Sequence, residues 1–338
     1  MSNAKAMILG CAGKELTREE IDLYGGEAPW GFILFARNLS EPEQIRDLVA
    51  SMRDSVGRPH APVFIDQEGG RVQRIRPPMA QQYPPAAALG ALYDQDAEKG
   101  LRAAWLMSRL HAFDLTRLGI TVNCLPVLDV LVEGATQAIG NRAYGRDPQL
   151  VAALGKAAAE GLKAGGMLPV MKHMPGHGRA TVDSHHDLPV VKASLDELDR
   201  TDFLPFREMR TEVMAMSAHI VFTAIDAENP ATTSRKVIQE IVRERIGFNG
   251  LLLSDDSSMN ALKGTLGERA ANIVAGGCDI VLHCNGVMDE MRQVVKQVPA
   301  LEGMCRERAE RAEAAMPTAD AGDESELRAE FWDLMPAA

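Results

Sequence analysis

Residues 167–189 read MLPVMKHMPGHGRATVDSHHDLP, an apolar run that ends in a lysine and a histidine and continues as a polar loop. The loop, residues 172–189, contains four histidines, two aspartates and a lysine. Pro175 and the glycines on either side of His177 prevent its first half from continuing as strand or helix. Ionisable groups at this density on a loop indicate a binding or reacting site rather than a solvated surface loop.

Apolar runs of this kind recur, bounded by turn residues or followed by a helix-like segment. The eight runs are residues 6–11, 31–36, 61–66, 120–128, 167–173, 213–222, 250–255 and 278–284. Amphipathic helices are predicted for residues 41–55, 96–118, 148–164, 194–212 and 234–246. Eight buried strands alternating with helices predict a (β/α)8 barrel. A doubly wound open sheet is the competing fold, but no Gly-x-Gly-x-x-Gly follows the first strand.

The domain organisation follows from length and composition. A chain of 338 residues with 46% apolar content can bury one large core. We expect one catalytic barrel over residues 1–317. Residues 318–338 are acidic and predict a solvated extension or a peripheral helix, with no separate domain.

Charge and cysteine usage limit the partners and the compartment. The net charge is −11, which argues against a nucleic-acid or anionic-membrane partner. The five cysteines are scattered and lack C-x-x-C spacing, as is typical of reduced thiols. No apolar run approaches the roughly 18 residues of a spanning helix, and the first residues lack the pattern of a signal peptide. A cytoplasmic protein is therefore expected.

Polar residues concentrate where the predicted strands end, which is where (β/α)8 barrels carry their active sites. Asp66 and Arg74 follow the third strand, and Asp129 and Arg142 follow the fourth. The fifth ends in Lys172-His173, the sixth carries His219, and the seventh ends in Asp255-Asp256.

Two of these groups suggest acid–base and nucleophilic chemistry. If residues 183–185 are extended, Asp183 and His185 project on the same side, so the carboxylate can orient the imidazole. The alternative is an Asp–His hydrogen bond that only closes the loop. Asp255 and Asp256 point to opposite faces of their strand, so one is expected to face the barrel mouth as a nucleophile. The other is expected to cap a following helix.

Asp66, with the cations Arg74, Arg142 and Lys172, suggests recognition of neighbouring sugar hydroxyls or of an amide. Surface ion pairing is the simpler explanation for any one of them. A zinc hydrolase built on the histidines is a further alternative. The His173–His177 spacing lies outside a helix, however, and the chain has no H-E-x-x-H motif.

Six motifs carry a family resemblance: GFILFARN, IDQEGGRVQR, NRAYGRDP, KHMPGHG, DSHHDLP and LLLSDDSSM. Together and in this order, across about residues 31–285, they resemble glycoside hydrolase family 3. Within that family they resemble the single-domain β-N-acetylglucosaminidases of peptidoglycan recycling. Two positions depart from the usual pattern, Met174 for Phe and Ser257 for Leu.

The resemblance implies a retaining hydrolase without a cofactor or metal. Asp255 would be the nucleophile, and His185 the proton donor and then the base, with Asp183 as its partner. Asp66, Arg74, Arg142, Lys172 and His173 would bind the sugar. The implied substrate is N-acetylglucosamine linked β-1,4 to 1,6-anhydro-N-acetylmuramic acid, with or without its peptide, and the implied enzyme is a monomer. A family 3 glycosidase for another sugar, and a barrel that binds muropeptides without cleaving them, are the remaining alternatives.

Overall fold

The computed structural model describes residues 3–135, 137–182, 184 and 187–335. It contains thirteen strands among these residues. They are β1 Lys5–Leu9, β2 Pro29–Leu34, β3 Val63–Ile65, β4 Gln67–Gly69, β5 Val72–Gln73, β6 Val122–Asn123, β7 Leu168–Pro169, β8 Met171–Met174, β9 Val190–Val191, β10 Met214–Ser217, β11 Val221–Phe222, β12 Leu251–Leu253 and β13 Val281–His283.

Parallel pairing closes nine of these strands into a ring. One sheet has the order β13-β1-β2-β3-β6-β7, and a second has the order β12-β10-β8. Parallel bridges join the two sheets at Val127–Lys172 and at Leu253–Ile280. Because β7 and β8 are one strand interrupted at Val170, the ring has eight positions, and each coincides with one of the eight apolar runs. The predicted (β/α)8 barrel is therefore confirmed.

Helices lie along the chain between the barrel strands and after the last of them. They are α1 Arg18–Glu27, α2 Pro42–Ser55, α3 Ala86–Gln95, α4 Ala97–Thr116, α5 Pro148–Ala164, α6 Leu195–Arg200, α7 Leu204–Glu208, a π-helical segment Val237–Arg245, α8 Leu266–Gly276, α9 Met288–Val295, α10 Gly303–Ala314 and α11 Glu324–Leu334. Short 3-10 turns occupy Ala36–Asn38 and Gly140–Arg142.

Local sequence explains where several helices begin and end. In α2, Pro42 occupies the first turn, where its missing N–H costs nothing, and the residues at 45, 48, 49 and 52 form the buried face. The single helix predicted for 194–212 is wrong. Pro205 lacks the N–H needed inside a helix, so the segment divides into α6 and α7.

The strands are apolar because both of their faces are covered. All six residues of β2 are buried, as are all four of β8 and of β10. The Lys172–His173 and Met174–Pro175 peptide bonds at the end of the fifth barrel strand are cis. The five cysteines are free thiols, four of them buried.

A short antiparallel hairpin, β4–β5, follows the third barrel strand. Gly69 and Gly70 turn it with positive φ angles of 98° and 55°. A side chain at Gly69 would come within 2.4 Å of the Pro84 carbonyl oxygen, so only glycine fits between the hairpin and the segment beyond it.

The acidic C-terminal segment packs on the barrel through α11, which lies against α4. Its carboxylates pair with arginines of α4 or its end: Asp320 with Arg109, Glu324 with Arg117, and Glu330 with Arg102. The peripheral helix is thus the form this segment takes, while the division at residue 317 stays a prediction. Among the described residues, no helix is both long and apolar enough to cross a membrane.

Candidate active site

A polar pocket of about 270 Å³ opens where the barrel strands end. Its wall includes residues that follow six of the eight barrel strands. Six predicted site residues meet there: Asp66, Arg74, Arg142, Lys172, His173 and Asp255. The predicted pair Asp183 and His185 lies outside the described residues.

Asp66 is held between two cations on the pocket wall. Its Oδ1 accepts a hydrogen bond from Lys172 Nζ at 2.8 Å, and its Oδ2 accepts one from Arg74 Nη2 at 3.0 Å. Burial alone would raise the pKa of Asp66, but the two cations hold it well below its ordinary value. Asp66 is therefore a fixed carboxylate, and its remaining lone pairs can accept hydrogen bonds from a ligand hydroxyl.

Glu68 joins this group, although sequence reasoning did not select it. Both of its oxygens accept hydrogen bonds from Arg142, Nε and Nη2, at 2.8 Å each. Its Oε1 also lies 2.7 Å from Lys172 Nζ. Burial would raise the pKa of Glu68, but Arg142 and Lys172 lower it to about 2. The only signal in the sequence was its position two residues after Asp66.

Lys172 is the shared cation of both carboxylates, and its side chain is only 2% exposed. Burial alone would lower the pKa of Lys172, yet Asp66 and Glu68 raise it above its ordinary value. A buried lysine with two carboxylate partners stays charged and immobile. Its ammonium group can donate to a ligand without first being reorganised.

His173 is oriented from behind by a buried carboxylate. Its Nδ1 lies 2.7 Å from Asp129 Oδ2, while Asp129 Oδ1 accepts the backbone N–H groups of His173 and His177. Burial would raise the pKa of Asp129, but the two histidines lower it to about 2. Because Nδ1 is engaged, Nε2 is the ring nitrogen through which His173 can meet a ligand.

Asp255 is the carboxylate that faces the pocket from the seventh barrel strand. Its Oδ1 accepts the backbone N–H of Asp256 at 2.8 Å. Burial would raise the pKa of Asp255, but the imidazoles of His219 and His173 and this hydrogen bond lower it below its ordinary value. The group is therefore an anion at neutral pH, as a carboxylate nucleophile must be.

The neighbouring residue, Asp256, also lines the pocket, and its carboxylate is occupied by hydrogen bonds from the protein. It accepts hydrogen bonds from the backbone N–H groups of Ser258 and Cys284, each at 3.1 Å. This fastens the loop after Asp255 to the eighth barrel strand. The expectation that one of the two aspartates caps a helix is wrong, because the next helix, α8, begins at Leu266 with Thr265 as its cap.

His219, just after the sixth barrel strand, supports the same loop. Its Nε2 lies 2.9 Å from the Asp256 carbonyl oxygen, and its Nδ1 lies 2.9 Å from Thr232 Oγ1. Since a carbonyl oxygen only accepts, Nε2 carries the proton. Burial lowers the pKa of His219. A fixed imidazole thus contacts the backbone directly after Asp255.

Ser184 brings the loop after the fifth strand to the pocket. It is buried, and its Oγ lies 3.2 Å from His177 Nε2. Its carbonyl oxygen accepts the N–H of Ala261 at 3.2 Å, which links it to the loop after Asp255. Ser184 is the residue between the predicted catalytic pair in sequence, and it lines the same pocket as Asp255.

The two departures from the usual family pattern lie behind the pocket. Met174 and Ser257 are fully buried, and neither is among the residues of the pocket wall. Ser257 Oγ lies 3.1 Å from His283 Nδ1. Neither side chain would touch a ligand in the pocket.

His173 and His177, the two described histidines of the pocket, have protein partners rather than the geometry of a metal centre. Within the part of the chain that the structure describes, no group of three or more His, Cys, Asp or Glu side chains could hold a metal ion. Burial lowers the pKa of His177 to about 4, which keeps its ring neutral.

Comparison with known proteins agrees with this geometry. The family model for the glycosyl hydrolase family 3 N-terminal domain matches residues 28–314. A β-hexosaminidase of Chromobacterium violaceum is 37% identical over 309 residues, covering 90% of this chain and 85% of the relative. One of Stenotrophomonas maltophilia, strain R551-3, is 37% identical over 295 residues, covering 86% of this chain and 87% of the relative.

Among solved structures, NagZ from Neisseria gonorrhoeae in complex with N-trifluoroacetyl-D-glucosamine superimposes with a TM-score of 0.87. It is 32% identical, and the match covers 98% of this chain and 97% of that one. The fold and the relatives define a glycoside hydrolase. The chain belongs to glycoside hydrolase family 3, and its resemblance to the β-N-acetylhexosaminidases of that family is confirmed.

Proposed function

We propose that the protein is a retaining exo-β-N-acetylglucosaminidase. The observation that carries this proposal is the partly buried, ionised Asp255 in one pocket with Asp66, Arg74, Lys172 and His173. The β-hexosaminidase relatives and the sugar analogue bound to the gonococcal NagZ support it. A pocket of about 270 Å³ is suited to a single sugar ring.

The reaction takes place in two steps. Asp255 attacks the anomeric carbon and forms a bond to it while the bond to the leaving oxygen breaks, and His185 gives that oxygen its proton. In the second step His185 takes a proton from water, whose oxygen bonds to the anomeric carbon and releases Asp255. Asp183 orients His185. Because the base is a neutral imidazole, it works beside the anionic nucleophile without like-charge repulsion.

The sugar is bound by side chains that the protein already holds in place. Asp66 accepts from ring hydroxyls, while Lys172, Arg74 and Arg142 donate, and His173 presents Nε2. Because each of these side chains except His173 is paired in an ion network, little reorganisation accompanies binding. Lys172 Nζ can donate a hydrogen bond to the sugar, and His173 Nε2 can donate or accept one. Both residues line the same pocket.

The proposed substrate is N-acetylglucosamine β-1,4-linked to 1,6-anhydro-N-acetylmuramic acid, with or without a peptide. A terminal sugar fits a pocket closed at its base by the barrel core. Hydrolysis would take place in the cytoplasm during cell-wall recycling, by a monomer without a cofactor.

Hydrolysis of a chromogenic N-acetyl-β-glucosaminide tests this function. We expect Asp255→Asn to lower kcat by more than about a thousandfold, since it removes the nucleophile. Asp256→Asn is the matched control, with measurable turnover expected because both oxygens of that carboxylate already accept hydrogen bonds from the protein. Wild-type rates in Asp255→Asn would contradict the assignment. Faster hydrolysis of the matching β-glucoside would indicate another sugar, and no product in a single turnover would indicate a binding protein.

A further inference from the structure

The C-terminal helix α11 contacts residues 81–85, here called the support segment. Arg328 Nη1 donates to Tyr83 Oη at 2.9 Å, and Arg328 Nη2 pairs with Asp114. Tyr83 Oη in turn donates to Asp114 Oδ2 at 2.6 Å. Trp332 stacks on the Tyr83 ring at 6.3 Å and donates Nε1 to Gln81 Oε1 at 2.7 Å. The helix therefore holds the support segment by hydrogen bonds to Tyr83 and Gln81 and by a ring stack. The ion pair of Arg328 reaches Asp114 of α4, which accepts the Tyr83 hydroxyl and so joins the same cluster.

The support segment holds the hairpin β4–β5. The Tyr83 carbonyl oxygen accepts the N–H of Gly70 at 2.9 Å. Gln73 Oε1 accepts the N–H of Tyr83 at 3.0 Å, and Gln73 Nε2 donates to the Gln81 carbonyl oxygen at 2.7 Å. The hairpin turn packs so closely on Pro84 that a side chain at Gly69 would collide with it. Displacement of the support segment must therefore displace the hairpin.

The hairpin in turn carries side chains that position residues of the pocket wall. Glu68 lies in β4 and fixes both Arg142 and Lys172. Gln67 Oε1 accepts the backbone N–H of Arg74 at 2.9 Å, which sets the path of the chain toward the Arg74–Asp66 pair. A continuous series of contacts thus leads from α11 to the sugar-binding groups.

We propose that Arg328 and Trp332 are positioning residues for the sugar site, acting through the support segment and the hairpin. This inference rests on the proposed function for its kinetic readout. The family model ends at residue 314, so α11 lies beyond the part of the chain that defines the family. The ion pair is well placed to hold Tyr83 because Asp114, which is only 3% exposed, accepts hydrogen bonds from both Arg328 and Tyr83.

The experiment compares Arg328→Gln with wild type on the chromogenic N-acetyl-β-glucosaminide. We expect KM to rise about fivefold with kcat changed less than about twofold, because binding groups shift while the nucleophile stays in place. Arg328→Lys, which keeps the charge toward Asp114, is expected to recover most of the affinity. Hydrogen exchange of the amides of residues 67–75 is expected to accelerate in Arg328→Gln.

Arg102→Gln is the matched control, because Arg102 binds the same helix through Glu330 without touching the support segment. It is expected to leave both KM and the exchange of residues 67–75 unchanged. Trp332→Phe removes one exposed hydrogen bond, so it provides the test if Arg328→Gln fails to fold. Wild-type KM and exchange in the folded variants would overturn the inference. Absence of hydrolysis by the wild type would instead overturn the proposed function. The hydrogen-exchange measurement would still show whether α11 holds the hairpin in place.

Discussion

Glu68 Oε1 and Lys172 Nζ lie 2.7 Å apart, and the two side chains are only 4% and 2% exposed. Glu68 also binds Arg142 with both oxygens, so one carboxylate fixes two cations that line the pocket. A buried charge with two charged partners cannot be removed without leaving those partners uncompensated. Glu68 is thus a structural support of the pocket rather than a surface charge.

Glu68→Gln tests this support. The substitution keeps the shape but leaves Arg142 and Lys172 short of a counter-charge. We expect the free energy of unfolding to fall by about 3 kcal/mol, and KM to rise by about tenfold. Urea unfolding and steady-state kinetics measure the two effects. In the control, Glu212→Gln, the lost partner is the partly exposed Lys163, and a loss below about 1 kcal/mol is expected. Equal losses in both variants would contradict the prediction.

Asp255 and His219 offer a test by pH profile. Because His219 is the strongest of the groups that lower the pKa of Asp255, its removal raises that pKa. In His219→Gln the acidic limb of kcat/KM is therefore expected to move to higher pH. Ser217→Ala, which alters the same hydrogen-bonded cluster without removing the imidazole, is expected to leave the limb in place. A shift to lower pH in His219→Gln would contradict this account of the nucleophile.

His111 gives a test of stability against pH. It is fully buried, and neither ring nitrogen has a hydrogen-bond partner among the described residues. Burial lowers its pKa from 6.5 to about 3. Below pH 6.5 the unfolded chain binds a proton that the folded chain does not, so stability falls as the pH drops from about 6.5 toward 3. Between pH 7 and pH 5 this one group lowers stability by about 2 kcal/mol.

His111→Phe is expected to abolish that part of the pH dependence while keeping the ring contact with Tyr83, whose centroid is 4.6 Å away. Urea unfolding at pH 7 and pH 5 measures the difference. His60→Gln, at an exposed position, is expected to keep the wild-type slope. An unchanged slope in His111→Phe would show that His111 is protonated in the folded state.

Removal of metal ions tests the alternative of a metal-dependent hydrolase. We expect full activity after exhaustive dialysis against a chelator, because His173 and His177 are engaged by Asp129 and Ser184. The rate on the chromogenic substrate is compared before and after dialysis, with and without added zinc. A rate that disappears on dialysis and returns with zinc would refute the carboxylate mechanism.

The barrel and most of the pocket were predictable from the sequence for a physical reason. Strands covered on both faces must be apolar along their length, so polar residues appear only where they end. Asp66, Lys172 and Asp255 were therefore identifiable from position alone. All three line the pocket, while their chemical roles stay predictions until activity is measured.

Other features depend on contacts between distant parts of the chain. Glu68 was missed because its partners, Arg142 and Lys172, lie 74 and 104 residues further along the chain. The docking of α11 was missed because ion pairs such as Arg102–Glu330 leave no local pattern. Helices α3 and α10 have weak amphipathic patterns, because several of their inward positions are alanine or glycine.

The pocket residues come from barrel strands that span the chain from β2 to β13, and the bridges Val127–Lys172 and Leu253–Ile280 complete the ring. No fragment that lacks either half of the ring contains Asp255 together with Asp66, Arg74 and Arg142. Enzymatic turnover is consequently an assay of complete folding. During refolding from urea, regained activity should lag behind regained helical signal by the time that the last strands need to join.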